Sequence, residues 1–159
     1  MTTAKSTKIG ILAVRRSILI NAAPERVWQE FETFERMTAW FGRGHRLLQF
    51  EPRLNGRMLL EVDINGVAHQ YGGPITVFDP PHELTFEDDW VPPRWPAPTL
   101  ITFRLTPALD GTLVELFHHT IENTGADRDE WHAGFEKGWD MKHLIALKQI
   151  IEGREHVAH

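Results

Sequence analysis

The sequence predicts an α+β fold: a run of antiparallel strands, then a long helix lying across one face of their sheet. Three observations carry this prediction. Six strand-like segments follow one another between residues 45 and 121, with turn signals at Leu54-Asn55-Gly56, Asn65-Gly66, Asp79-Pro80-Pro81 and Asp110-Gly111. The last quarter then changes period. From Trp131 on, taken as one continuous helix, Phe135, Trp139, His132 and His143 fall within roughly 120° of one another, while Lys137 and Lys148 lie on the far side. Finally, strands and helices are segregated along the chain rather than alternating, so a parallel β-α-β arrangement is not expected.

Taken in order, residues 1–10 read as a flexible lead-in and residues 11–155 as a single domain. A first strand covers about Leu12 to Ile20, and Asn21-Ala22-Ala23 leads out of it. Pro24 suits the first turn of a helix, with Glu25 at its positive end. The segment PERVWQEF then buries Val27, Trp28 and Phe31 on one side of a short helix. A second short helix around Glu35 to Trp40 ends near Gly42 and Gly44. The six later strands are expected at His45–Glu51, Gly56–Asn65, Ala68–Asp79, His82–Asp88, Leu100–Thr106 and Thr112–Ile121. The sheet therefore has about seven strands.

Composition excludes several classes of function. A net charge of −5, with no basic run longer than Arg15-Arg16, argues against nucleic acid. The chain has no cysteine, which removes disulfides and thiol chemistry. No apolar stretch is long enough to span a bilayer, and MTTAKSTK lacks the apolar core of a secretory signal, so the expected location is cytoplasmic.

The segments APERVW, GGPITVFDPPHELTF, GTLVELFHH and GW followed by LKQIIEG resemble, in that order and spacing, the START/Bet v 1-like (SRPBCC) superfamily. More narrowly they resemble its branch named after the activator of the heat-shock-protein ATPase. The resemblance spans about residues 12–153. It implies a helix-grip fold, in which a curved sheet wraps a long C-terminal helix and leaves a cavity for apolar or aromatic small molecules. Lipid carriers, polyketide cyclases, antibiotic-resistance proteins and co-chaperone domains share that fold. The co-chaperones of the branch carry an additional N-terminal domain, for which this chain leaves no room.

Alternation along the strands names the expected lining. Ile101, Phe103 and Leu105 share one face, opposite Thr102 and Arg104. Val114, Leu116 and His118 share another, opposite Glu115, Phe117 and His119. Leu84, Phe86, Asp88 and Trp90 alternate inward, and His69, Tyr71, Ile75 and Val77 share parity in a segment where Gly72-Gly73-Pro74 permits a bulge. The expected ligand-binding set is His118, Trp139, His143, Phe135, Phe103, Tyr71, Phe86 and Trp90.

His118 has two readings: a buried neutral imidazole with a hydrogen-bond partner, or a polar anchor or acid/base for a ligand. Glu136 lies one turn from His132, a spacing that metal ligands use. Neither an HExxH motif nor a Cys/His cluster accompanies it, and no metal or cofactor is expected. Trp28 and Trp40 read as core. The stretch EDDWVPPRWPAPT, residues 87–99, reads as a lid, a dimer contact or a cover for the sheet edge. Asp88 and Asp89 alternate across a strand and cannot act together on one substrate. There is no nucleophile elbow and no phosphate loop. The expectation is a protein that binds a small apolar or aromatic molecule. Two alternatives stay open: a cyclase or hydrolase-like enzyme using His118 or His143, and an interaction module with a filled core. The oligomeric state stays open, and an exposed Trp95 would favour a homodimer.

Overall fold

A computed structural model describes residues 8–42 and 44–157, side chains beyond Gly153 excepted. Strands β1 (Val14–Ile20), β2 (Arg46–Phe50), β3 (Arg57–Ile64), β4 (Val67–Asp79), β5 (Glu83–Val91), β6 (Thr99–Ala108) and β7 (Gly111–His119) form one antiparallel sheet in the order β1-β7-β6-β5-β4-β3-β2. The sheet curls into a half-barrel around the C-terminal helices. Between β1 and β2 lie α1 (Pro24–Trp28), a 3-10 turn at Gln29–Phe31, and α2 (Phe34–Phe41). After β7 a second 3-10 turn, Ile121–Thr124, leads into α3 (Arg128–Gly138) and α4 (Lys142–Val157). Among the described residues, no helix is long and apolar enough to cross a membrane.

Local chemistry fixes the short helices. Pro24 opens α1, and the Thr33 hydroxyl caps α2 by accepting the Arg36 N–H at 3.0 Å. Glu30 is buried between Arg26 and Arg36, each 2.8 Å away, which ties α1 to α2. The Trp40 indole N–H adds a 3.0 Å bond to the Glu30 carbonyl. Trp28, Phe31, Trp40, Phe41 and Phe103 then close one end of the space under the sheet, with ring centroids 5.0–5.5 Å apart for Phe31–Trp40, Phe31–Phe103 and Phe41–Phe103.

Three details differ from the expectation. The C-terminal helix is interrupted at Trp139-Asp140-Met141, so its face does not continue with one phase. Arg16 of β1 holds the end of α3, donating to the Trp139 carbonyl at 3.0 Å and the Glu136 carbonyl at 2.9 Å. The Asp140 carboxylate accepts the Lys142 N–H at 2.9 Å, where α4 starts. In β4 the bulge falls between Ile75 and Val77, not at the glycines. The extra residue puts Val77 opposite Thr85 on the outer face, and Phe78 opposite Leu84 on the inner one. Gly72 instead serves close strand approach: a Cβ there would lie 2.1 Å from the Met58 carbonyl oxygen, at a φ of +141°.

The third difference concerns burial. Thr85, Thr102 and His119 point to the outer face but are buried. They form a chain of hydrogen bonds: His119 Nε2 to Thr102 at 2.9 Å, Thr102 to Thr85 at 2.8 Å, and Thr85 to Glu83 at 2.9 Å. The Gly10 N–H ends the chain at His119 Nδ1, 3.1 Å away. Of the expected lead-in, residues 1–7 lie outside the described residues.

Candidate functional site

At the end of the sheet away from the aromatic plug, a cavity of about 180 Å³ remains between sheet and C-terminal helices. Its floor comes from Leu60 and Val62 of β3, Tyr71 of β4, Asp88 and Trp90 of β5, and Ile101 and His118 of the last two strands. Phe135 and Gly138 of α3, Trp139 of the break, and Lys142 and His143 of α4 roof it. Phe41, His45 and Trp95 complete the wall. Trp95 comes from the proline-rich stretch and packs on α3, with ring centroids 5.2 Å from Trp131 and 6.2 Å from Phe135.

His118 is held from both sides. The Trp139 indole N–H can only donate, and it meets His118 Nδ1 at 2.9 Å. The ring proton therefore sits on Nε2 and is donated to Thr99 Oγ1 at 2.9 Å, while the Thr99 hydroxyl donates onward to the Asp88 carbonyl at 2.9 Å. The sheet register produces this contact. Thr99 opposes Asp88, His118 opposes Ile101, and Thr99 lies diagonally across from His118 on the same face. Burial, then the neighbouring His119, pushes His118 down to about 3. It is a neutral imidazole with both nitrogens engaged, the first of its two readings.

Asp88 differs. It is 4% exposed, and its Oδ2 lies 3.6 Å from His118 Nε2, too far for a hydrogen bond. Its Oδ1 is buried with no protein partner. Burial first, and then the charge of Asp89, pushes its carboxyl up to about 8. The Trp90 and Trp95 indole N–H groups are likewise buried without a partner. Elsewhere in the wall, polar groups satisfy one another. The Tyr71 hydroxyl bonds His45 Nδ1, and burial, then Asp88, holds its pKa well above the usual tyrosine range. His143 Nδ1 donates to the Trp40 carbonyl at 3.3 Å. Burial lowers both His45 and His143. At neutral pH the wall is thus uncharged apart from Lys142, which pairs with Asp140 at 3.7 Å.

Six of the eight expected residues meet in this wall: His118, Trp139, His143, Phe135, Tyr71 and Trp90. Phe103 and Phe86 do not. Both are fully buried in the core, because α1 and α2 fill the space above Phe103 and Phe86 sits one inward position deeper than Asp88. His132 turns away from the cavity to bond the Ala13 carbonyl at 2.9 Å. Among the described residues, no three His, Asp or Glu side chains come close enough to hold a metal ion. Parity placed Asp88 inward but did not show that it lacks a partner. His45 and Lys142 gave no sequence signal, since both reach the wall from element ends.

The profile of the family described as Activator of Hsp90 ATPase homolog 1-like protein matches residues 21–152. Several solved structures share the fold at low identity. Protein Ms6760 from Mycobacterium smegmatis superposes with a TM-score of 0.67 at 16% identity, over 99% of each chain. The Aha1 dimer from Colwellia psychrerythraea gives 0.63 at 19% identity, over 89% of this chain and 97% of that one. DynU16, described as a putative protein in the dynemicin biosynthetic locus, gives 0.62 at 16% identity, and the match spans 89% of this chain and 48% of that one. A comparison with functionally curated proteins finds no match. Identities this low speak for the fold alone. The family match covers most of the chain, from the end of β1 to the last turns of α4, and this chain belongs to the Activator of Hsp90 ATPase homolog 1-like family.

Proposed function

We propose that the protein binds an uncharged apolar or aromatic small molecule in the cavity between sheet and C-terminal helices, and that it does so in the cytoplasm. One observation carries this reading: an aromatic-walled cavity of about 180 Å³ stays open in a molecule whose other end is close-packed. Interiors pack like organic crystals. An apolar ligand of one or two rings would gain from burying its surface against that wall.

Native mass spectrometry of untagged protein from its own host tests the proposal. A discrete added mass that disappears on denaturation is the expected result. A clean apo mass, together with no tryptophan quenching by ethylbenzene or acetophenone, would overturn it and favour an interaction module. A cyclase or hydrolase-like reaction gains little from His118, which has no free nitrogen. Homodimerisation is a second proposal. It is supported by the description of the Colwellia protein as a dimer and by exposed Ile64, Val67 and Val91 at one end of the sheet. Sedimentation across a hundredfold concentration range tests it: a single monomer mass throughout would sink it.

A further inference from the structure

We propose that the cavity takes a phenol, an aromatic ring whose hydroxyl donates its proton to His143 Nε2 and accepts a hydrogen bond from Lys142 Nζ. This rests on the ligand-binding reading above and adds the ligand's chemistry. The tautomer follows from a partner that can only accept. His143 Nδ1 meets the Trp40 carbonyl at 3.3 Å, so the ring proton sits on Nδ1 and Nε2 carries a lone pair. Burial, the largest influence on it, holds this imidazole below its ordinary pKa, and the neutral form is the one present at pH 7. Among the described residues no donor reaches Nε2. That nitrogen is not sealed off either, in contrast to Asp88 Oδ1 and the Trp90 and Trp95 indole nitrogens, which have no accessible surface.

Lys142 and His143 are the first two residues of α4, and both line the cavity. The His143 ring lies 5.4 Å from Phe41 and 5.7 Å from Trp139, two further lining residues. Its free nitrogen is thus set among aromatic faces. Lys142 carries three N–H donors. Its pairing with Asp140, at 3.7 Å between half-exposed side chains, is weak in water and leaves donors over.

An acceptor beside a donor selects the group that is both. A carbonyl or ether oxygen would leave Nε2 unpaired, and an ammonium would face Lys142. A carboxylate would set its charge against the Nε2 lone pair. A hydroxyl satisfies both residues, and a phenol keeps its proton at pH 7, since its pKa is about 10. The rest of the wall asks for a ring: His118 has both nitrogens engaged, the Tyr71 hydroxyl is bonded to His45, and Leu60, Val62 and Ile101 are apolar. The volume of about 180 Å³ suits one ring, since an apolar cavity of about 150 Å³ accommodates benzene.

Calorimetric titrations at pH 7 with p-cresol, its methyl ether 4-methylanisole, and p-toluate test the assignment. The ether keeps the acceptor oxygen but has no proton to donate. Wild type should bind p-cresol about tenfold more tightly than 4-methylanisole. His143→Phe, which keeps a ring but no acceptor, should bring the two within about threefold. Lys142→Met should weaken both and leave their ratio unchanged. In wild-type protein carrying ¹⁵N-labelled histidine, the His143 Nε2 resonance should be that of an unprotonated nitrogen, and it should move with p-cresol but not with 4-methylanisole. Equal binding of p-cresol and 4-methylanisole, or a preference that survives in His143→Phe, overturns the role of His143 and leaves the binding reading intact. Tighter binding of p-toluate than of p-cresol overturns it in favour of an anion held by Lys142. Absence of binding by all three probes overturns both. If His143→Phe does not fold, the labelled wild type decides, and an Nε2 that is protonated or unmoved by p-cresol overturns the proposal.

Discussion

Trp139 and His118 form the polar joint between the C-terminal helices and the sheet. Replacing Trp139 with Phe keeps most of the apolar surface but removes the N–H that bonds His118 Nδ1 at 2.9 Å. A buried acceptor is then left unpaired, which costs about 1–3 kcal/mol. We expect Trp139→Phe to lower the unfolding free energy by that amount, seen as a lower urea midpoint with an unchanged m-value, and an unchanged midpoint would show that the joint carries no stability. At this scale the sequence was half legible. Period-two alternation brought His118 and Asp88 to the inner face, because parity is a local property of a strand. It could not tell that one is saturated and the other orphaned. The partners of His118 lie 19 and 21 residues away, and only the register and the helix packing bring them together.

Two short devices organise the elements. Arg16, on β1, holds the last carbonyls of α3, and Asp140 receives the first amide of α4. Between them the chain turns at Trp139, which carries the indole into the cavity wall. No residue of α3 is fully buried, and the helix packs mainly on β1, the 3-10 turn at Ile121–Thr124 and the Trp95 loop. Leu144, Leu147 and Ile151 of α4, by contrast, are fully buried. Helix α3 is therefore the low-stability roof of the cavity. Arg16→Ala should destabilise the protein by about 1–2 kcal/mol and raise amide exchange in α3 well before α4. Equal exchange in the two helices would contradict a separable roof. The sequence joined these helices into one, since Gly138 and Asp140 are weak breakers and the Arg16 contact spans more than a hundred residues.

Over the whole molecule, buried titratable groups oppose one another in setting the pH of greatest stability. His118, at about 3, and His119, at about 4, are neutral when folded. Between those values and about 6.5 the unfolded chain binds more protons, so stability falls on acidification. Burial of His45 and His143 adds to the fall. Asp88 acts in the opposite sense. Its raised folded value of about 8 means that the native state binds the extra proton, and this contribution is lost as pH rises towards 8. Two strongly lowered histidines outweigh one raised carboxyl below pH 6.5, and Asp88 decides above it. We expect a stability maximum near pH 6.5, measured by denaturant midpoints from pH 5 to 9. Asp88→Asn should abolish the decline between pH 6.5 and 8 and leave the acid-side fall; a decline that survives in that variant would assign it elsewhere.

The sequence by itself determined the α+β class, the seven strands in nearly their observed bounds, the two short helices, and which side of β5, β6 and β7 faces inward. These follow from turn residues, helix starts and alternation, all readable within about ten residues of chain. The tertiary structure decided where the space under the sheet is filled and where it is open. Phe103 joined the plug because α1 and α2 fold back over that end, a packing that no local pattern encodes, and Phe86 lies in the core one inward position deeper than Asp88. It also decided the charge of the site. Whether a histidine or an aspartate carries a proton depends on desolvation and on partners distant in sequence, and these exist only once the sheet has closed around its helices.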